Sequence, residues 1–537
     1  MNDPTQSLHW KALENHCSSL RKISLRDLLF EDPKRTESLT FELGNLFVDF
    51  SKQMVTEETI DLLVALANDL DLNNRIGELI NGEPLNVSEN RPALHTALRC
   101  PEGDITVDGE NVIPLIRSAL EKSFTAAEKI RSGQWLGVTG DQIKAVVNIG
   151  IGGSHLGPAM VVSALSGYCD NDVRIRFVSN IDPSSLDTEL RSLDPRTTLF
   201  IINSKSFHTA ETLANAHAAF QWAQDGLDGS AEVIKKHFVA ITANQDVAEN
   251  FGIPAENIFP TWDWVGGRFS ICSPVSFSAM IAVGSENFQS ILNGCYKIDN
   301  HFRATDLKAN VPALMGMIAV WNRNFLGHTN HAVVPYSTDL HKFPLYLQQL
   351  EMESNGKHVR EDGSRVSTKT SPIILSGVGT DAQHSFFQFL HQGTEVIPVD
   401  FIAFSNPSLS SGSLDRELVS RQHQALLANC FAQSKALAIG SESSTETFSS
   451  DGNRPNTTVL GTHLDPFTLG QLIALYEHKV FTMGVLWRIN SFDQWGVQFG
   501  KLLAETISND LDNPTGFSDH DSSTKSLLAR YQKSREI

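Results

Sequence analysis

KAVVNIGIGGSHLGP, residues 144–158, decides the fold. It opens with a short, nearly unbroken apolar run that stops at Gly150, as a strand buried on both faces does. A glycine-rich turn follows. Then comes PAMVVSALSGY, whose Pro158 suits the first turn of a helix. Moving outward, the same alternation recurs. VRIRFVSN (173–180), TTLFIINS (197–204), HFVAITAN (237–244) and a short NIFP (257–260) read as strands, and ETLANAHAAFQWA (211–223) as an intervening helix. Strands alternating with helices predict an α/β fold with a doubly wound parallel sheet. Its ligand would sit beyond the carboxyl ends of the strands.

A second α/β unit follows. NHAVVPY (330–336), SPIILSG (371–377) and EVIPVDFIAF (395–404) read as strands, and TTVLG from Thr457 adds one more. Residues 1–140 read as mainly helical. TEETIDLLVALANDL carries an apolar stripe at Ile60, Leu63, Val64 and Ala67, with a weak cap at Thr56 and Thr59. In SENRPALHTALR (88–99), Pro92 marks a possible helix start. Arg91, His95 and Arg99 then share a face, either a basic edge or ordinary surface. The expected organisation is a helical region at 1–120, α/β domains at 121–290 and 291–505, and a tail at 506–537 that continues the helical C-terminal arm.

The 537 residues exceed one ordinary core, and 41% hydrophobic with 20% charged residues suits a folded soluble protein. A formal charge of −19 disfavours nucleic acid and anionic membranes as partners. An anionic substrate would therefore need a local cationic site. Six scattered cysteines without a CxxC pair point to a reducing compartment and no structural metal. No apolar run reaches the length of a membrane span, so the cytoplasm is the expected location.

Six segments carry candidate chemistry. GIGGSHLGP (150–158) can bring backbone N–H groups to an anion at a helix start, though a tight packing turn uses the same glycines. Its spacing is neither GxGxxG nor GxxxxGK[ST]. SKSFHTAET (204–212) places Lys205 among the hydroxyls of Ser204, Ser206 and Thr209, again before a helix. Two such loops at neighbouring strand ends suit a monoester phosphate. TWDWVGGRFS (261–270) holds Arg268 beside two glycines that could take a strained backbone. LYLQQLEMESNGK (345–357) reads as a helix stopped by Asn355 and a left-handed Gly356, with Glu353 in its last turn and Gln349 four residues earlier on the same face. GVGTDAQHSFFQFLHQG (377–393) puts His384 in a first helical turn capped by Thr380 or Asp381. NSFDQWGVQFGK (490–501) has capping-box spacing at Ser491 and Gln494, and a polar stripe at Gln494, Gln498 and Lys501.

These motifs, with ENRPALHTALR, GNRPN and LYEHKVF, stand in the order found in the glucose-6-phosphate isomerase family, which the sequence from about Glu89 to Lys501 closely resembles. The resemblance implies two sugar-isomerase (SIS) domains, a homodimer, and isomerisation of glucose 6-phosphate to fructose 6-phosphate in glycolysis and gluconeogenesis without metal or cofactor. By the same resemblance, Ser154, Ser204, Lys205, Ser206 and Thr209 would hold the phosphate. Glu353 would be the base between C1 and C2, and Arg268 would stabilise the enediolate. His384, from the neighbouring subunit, would open the ring with Lys501. Gly153, Gln349 and Gln494 would line the sugar site. The sequence departs from the family pattern at His155, Ala210, Leu350 and Gln498, none of which replaces a proposed catalytic group. A wider hexose range that includes mannose 6-phosphate, or a non-catalytic sugar-phosphate sensor, would be built from the same loops.

Overall fold

The computed structural model describes residues 3–169, 172–408, 413–512 and 519–535. The chain divides into two compact units, Met1–Ser491 and Phe492–Ile537.

The first unit contains both large sheets. Near its start, β1 (Thr40–Leu43) and β2 (Leu46–Asp49) form a hairpin, and β3 (Thr106–Val107) and β4 (Glu110–Asn111) form a smaller one. Five strands then make the first main sheet: β5 (Ala145–Ile149), β6 (Arg174–Val178), β7 (Thr198–Asn203), β8 (Phe238–Thr242) and β9 (Ile258–Pro260). All its pairings are parallel, in the order β6-β5-β7-β8-β9. The chain starts at β5, adds β6 on one side and then returns to add β7 on the other. The crevice between β5 and β7 is therefore the place where loops splay apart. The central strands β5, β7 and β8 are buried along their whole length, whereas the edge strand β6 carries Arg174 and Arg176. Phe200, Ile202 and Phe238 pack under Ala216, Ala219 and Ala223, whose small side chains let the helix Ala210–Gly226 lie close to the sheet.

The second main sheet comprises β10 (Asn330–Pro335), β11 (Ile373–Ser376), β12 (Val399–Phe404) and β13 (Asn456–Gly461), parallel to one another. The β1–β2 hairpin extends this sheet, because β2 runs antiparallel to β13 with Thr458 opposite Asp49. The helical reading of the N-terminal region missed this pair, although Gly44-Asn45 between apolar runs is a hairpin signal. Gly44 has φ of 64°, and a Cβ there would lie 1.9 Å from Gln471 Nε2.

Other local expectations also change. Thr56 makes a full capping box with Thr59. No helix starts at Pro92. The chain instead forms a 3-10 turn at Ala97–Arg99, and His95 and Arg99 are buried. Arg99 pairs with Asp299 at 2.7 Å and Glu477 at 2.5 Å, tying the helices Ser285–Ala304 and Pro466–Trp487 together. Those helices touch backbone to backbone: a Cβ on Gly294 would lie 2.0 Å from the Phe467 carbonyl oxygen.

The second unit holds a 3-10 turn, Trp495–Val497, and the helices Gln498–Asp512 and Ser522–Arg535. Within it, His520 Nε2 lies 2.8 Å from Asp510 Oδ2. Gln494 precedes the turn and makes no side-chain cap to it, and Ser491 bonds Asn355 instead. Gln494 is thus outside the helix that carries Gln498 and Lys501, so the predicted three-residue stripe does not lie on one helix. Of the predicted tail, residues 513–518 and 536–537 lie outside the described residues. Among the described residues no helix is long and apolar enough to cross a membrane.

Candidate active site

The turn after β5 reads differently from the expectation in one respect. The helix begins at Gly153 and runs to Ala164, so Pro158 lies inside it. Proline offers no N–H to the Ser154 carbonyl. That carbonyl instead accepts the side-chain amides of Asn148 at 3.1 Å and Asn203 at 3.3 Å. Two asparagines at the ends of β5 and β7 thus set the cradle, a role that sequence reading missed. A buried Asn inside an apolar strand was the available signal.

Gly152 enters the helix at φ 60°. Gly153 is required by closeness: a Cβ there would lie 2.1 Å from the backbone carbon of Gly267. Gly267 itself has no left-handed φ, and a Cβ there would meet the Gly153 Cα at an ordinary 3.8 Å. The arginine loop therefore docks on the cradle against Gly153, and the glycine pair before Arg268 stores no left-handed strain.

The loop after β7 is held from several sides. Ser204 is buried and its hydroxyl donates to Thr209 Oγ1 at 3.2 Å. The Lys205 carbonyl accepts from Thr242 Oγ1, and the Ser206 carbonyl accepts from Asn244 Nδ2 at 2.7 Å. Buried Phe207 takes φ of 52°, an unusual conformation for a bulky residue. It turns the chain so that Ser206, His208 and Thr209 remain accessible. Lys205 Nζ donates to the Asp263 and Val265 carbonyls at 3.5 and 3.4 Å. Burial lowers the Lys205 pKa. Asp263 opposes that shift, while Arg91 and Arg268 nearby add to it. Three cations thus converge here, and a dianion would relieve their repulsion. Arg91 joins the site through Asp263, at 3.4 Å.

Glu353 does not end an ordinary α-helix. The helix Phe343–Leu347 passes into a π-turn, Gln348–Glu353, a form common at functional sites. Asn355 is fully buried and bonds the Val480 carbonyl, so it packs where a cap was expected. Gly356 is not left-handed. It is needed because a Cβ would lie 2.4 Å from the Met352 carbonyl oxygen. The face prediction holds, since Gln349 Nε2 donates to Glu353 Oε2 at 3.0 Å.

Arg268 closes the arrangement. Its Nε donates to Ser354 Oγ at 2.7 Å, one terminal nitrogen donates to the Ser491 carbonyl at 2.6 Å, and the other lies 3.3 Å from Glu353 Oε2. Its side chain is 1% exposed, against 26% for Glu353. A Cβ on Gly152 would lie 3.0 Å from Gln349 Nε2. Cradle, glutamine, carboxylate and guanidinium are therefore contiguous.

His384 sits elsewhere. Exposed itself, it ends a 3-10 turn, Asp381–His384, and the helix Phe387–Gln392 starts after it, so the first-turn prediction is corrected. Neither Thr380 nor Asp381 caps that helix, and Thr380 makes no side-chain cap to the turn. Among the described residues no hydrogen bond or ion pair joins His384 to Glu353 or Arg268. Lys501, in the first turn of Gln498–Asp512, and Gln494 belong to the second unit. Among the described residues no cluster of His, Cys, Asp and Glu has metal-site geometry.

A family model described as phosphoglucose isomerase matches residues 49–528. The chain belongs to the phosphoglucose isomerase family. It is 47% identical over 546 residues to a glucose-6-phosphate isomerase of Deinococcus deserti, covering 99% of each chain. It is 48% identical over 542 residues to one of Frankia casuarinae, covering 98% of this chain and 97% of the relative. The crystal structure of a glucose-6-phosphate isomerase from Chlamydia trachomatis matches with a TM-score of 0.87 and 34% identity over 99% of both chains. In this phosphoglucose isomerase fold, the cradle at the β5–β7 crevice lies where the doubly wound topology predicts a ligand.

Proposed function

We propose that the chain interconverts glucose 6-phosphate and fructose 6-phosphate in glycolysis and gluconeogenesis, with Glu353 carrying the proton between C1 and C2. The observation that carries this reading is the contiguity of the Ser–Lys cradle, Gln349, Glu353 and Arg268. The phosphate would lie among Ser154, Ser204, Lys205, Ser206 and Thr209, where a helix start and an ammonium meet an anion. The sugar would then extend past Gly153 toward Gln349 and Glu353, with Gln494 as a further contact.

Removing a proton α to a carbonyl needs a positioned base and a cation for the charge that develops. Arg268 is clamped by Ser354 and Ser491 before substrate arrives. It meets the enediolate with little reorganisation, which is what makes such a group effective. One carboxylate serving both carbons returns the proton it took, provided water is kept out. Opening the pyranose ring needs its own acid and base, assigned to His384 and Lys501. His384 is exposed, as a residue supplied to a second copy of the chain in a homodimer would be. The reading assigns SIS domains to 121–290 and 291–505, uses no metal or cofactor, and places the protein in the cytoplasm. Its described cysteines are all free thiols, as that compartment favours.

The test is Glu353→Gln, assayed in both directions with phosphate-ester binding measured in parallel. A general base contributes roughly 10²–10⁴-fold, so turnover should fall by that factor with binding retained. Full activity in that variant would end the assignment. Turnover should also be indifferent to a chelator.

A further inference from the structure

The π-turn that carries Glu353 is tied to the interior two residues earlier. Glu351 is buried, and its Oε2 accepts from Lys479 Nζ at 2.9 Å, with the two side chains 3% and 1% exposed. Lys479 belongs to the long buried helix Pro466–Trp487. Its ammonium also lies 3.2 Å from His331 Nδ1. An ammonium only donates, so Nδ1 is the acceptor and His331 carries its proton on Nε2. That Nε2 faces Asp400 Oδ2 at 3.1 Å, and Tyr476 donates to the same carboxylate at 3.0 Å. A continuous chain of five side chains therefore runs from the π-turn through β10 to the start of β12.

Nothing in the proposed chemistry uses these groups. A buried ion pair is weak evidence for stability, because desolvation offsets most of the attraction. It is directional, however. The turn has one further side-chain tether to a neighbouring strand, Gln348 to the Ile374 carbonyl at 3.0 Å. A π-turn is a rare departure from the α-helix, and such tethers fix its rotation.

We propose that Glu351 and Lys479 are positioning residues for Glu353, the pair fixing the rotation of the π-turn so that the carboxylate spans both reacting carbons. This rests on the assignment of Glu353 as base. The wild-type and Glu353→Gln comparison tests that assignment separately. A misplacement of about 1 Å at a reacting group can cost roughly 10²-fold in rate.

The experiment uses the full-length protein and two sets of substitutions. Lys479→Met leaves Glu351 buried without its cation. Glu351→Leu with Lys479→Met replaces the pair by apolar groups and is chosen to fold if the single variant does not. Each is also made in the Glu353→Gln background. For the double variant we expect a melting temperature near that of wild type, kcat reduced about 10–100-fold, and KM for fructose 6-phosphate changed less than threefold. In D2O, deuterium incorporated per turnover should rise, because a loosely held base exchanges its proton before returning it. In the Glu353→Gln background the same pair of substitutions should cost less than twofold. Unchanged kcat and unchanged deuterium uptake in a folded double variant overturn the proposal. So does an equal loss with and without Glu353, because the pair would then act independently of the base.

Discussion

Arg268→Lys keeps the positive charge and removes the geometry. Arginine uses three nitrogens here: one on Ser354 Oγ, one on the Ser491 carbonyl and one toward Glu353. Lysine has a single nitrogen and a shorter reach, so it can serve at most one of these positions well. If the ammonium follows Glu353, the Ser491 carbonyl and the Ser354 hydroxyl lose their donor. Each buried polar group left unsatisfied costs about 1–3 kcal/mol, which puts the stability loss at about 2–6 kcal/mol. The catalytic cost is separate. Losing one preorganised donor to a developing oxyanion typically lowers kcat by roughly 10²–10³-fold. The assay is a coupled measurement of fructose 6-phosphate consumption, run beside urea unfolding of the same preparation. KM should change little, since the phosphate is held by the cradle. A folded Arg268→Lys enzyme retaining more than a third of wild-type kcat would refute the claim that the guanidinium fork, rather than its charge, is what the site needs.

Lys205→Met should raise KM for fructose 6-phosphate about tenfold or more, with a smaller change in kcat, because a hydrogen bond to a charged group is worth about 1.5–3 kcal/mol; initial-rate kinetics read both. Gly153→Ala brings a Cβ within 2.1 Å of the Gly267 backbone, so the arginine loop must move. A loss of activity of at least tenfold, with normal secondary structure by circular dichroism, is the expected result. His155 is half-buried, and burial, with Lys342 nearby, pushes its pKa down to about 4. Its folded pKa lies below the unfolded value. Its contribution is therefore fully present above about pH 6.5 and is lost as pH falls toward 4. His155→Phe should remove about 2 kcal/mol of acid destabilisation between those limits, once partial exposure is allowed for, as urea midpoints at pH 7 and pH 4.5 would show.

Much of this architecture is legible in the chain because its causes are local. Ala145–Ile149 is an apolar run that water excludes in almost any context, and the following glycines can only be a turn. The same reasoning finds all nine strands from β5 to β13. It also places the two anion loops, because parallel strands in a doubly wound sheet end on one side whatever their neighbours are. Gln349 and Glu353 meet because residues four apart share a helical face.

Other features depend on partners far away in sequence. Pro158 sits within its helix because Asn203, 45 or more residues beyond the turn, takes over the Ser154 carbonyl. His95 and Arg99 are interior because Asp299 and Glu477, some 200 and 378 residues on, neutralise the guanidinium. Gly356 and Gly153 are glycines because a carbonyl oxygen or the backbone of Gly267 lies against them, which no propensity reveals. The sequence alone therefore determines which groups are available and at which strand ends they emerge, since apolar period and turn chemistry act over a few residues. Tertiary structure alone decides which of those groups touch, because a guanidinium within 3.3 Å of a carboxylate is set by backbones that approach each other only after both sheets have formed.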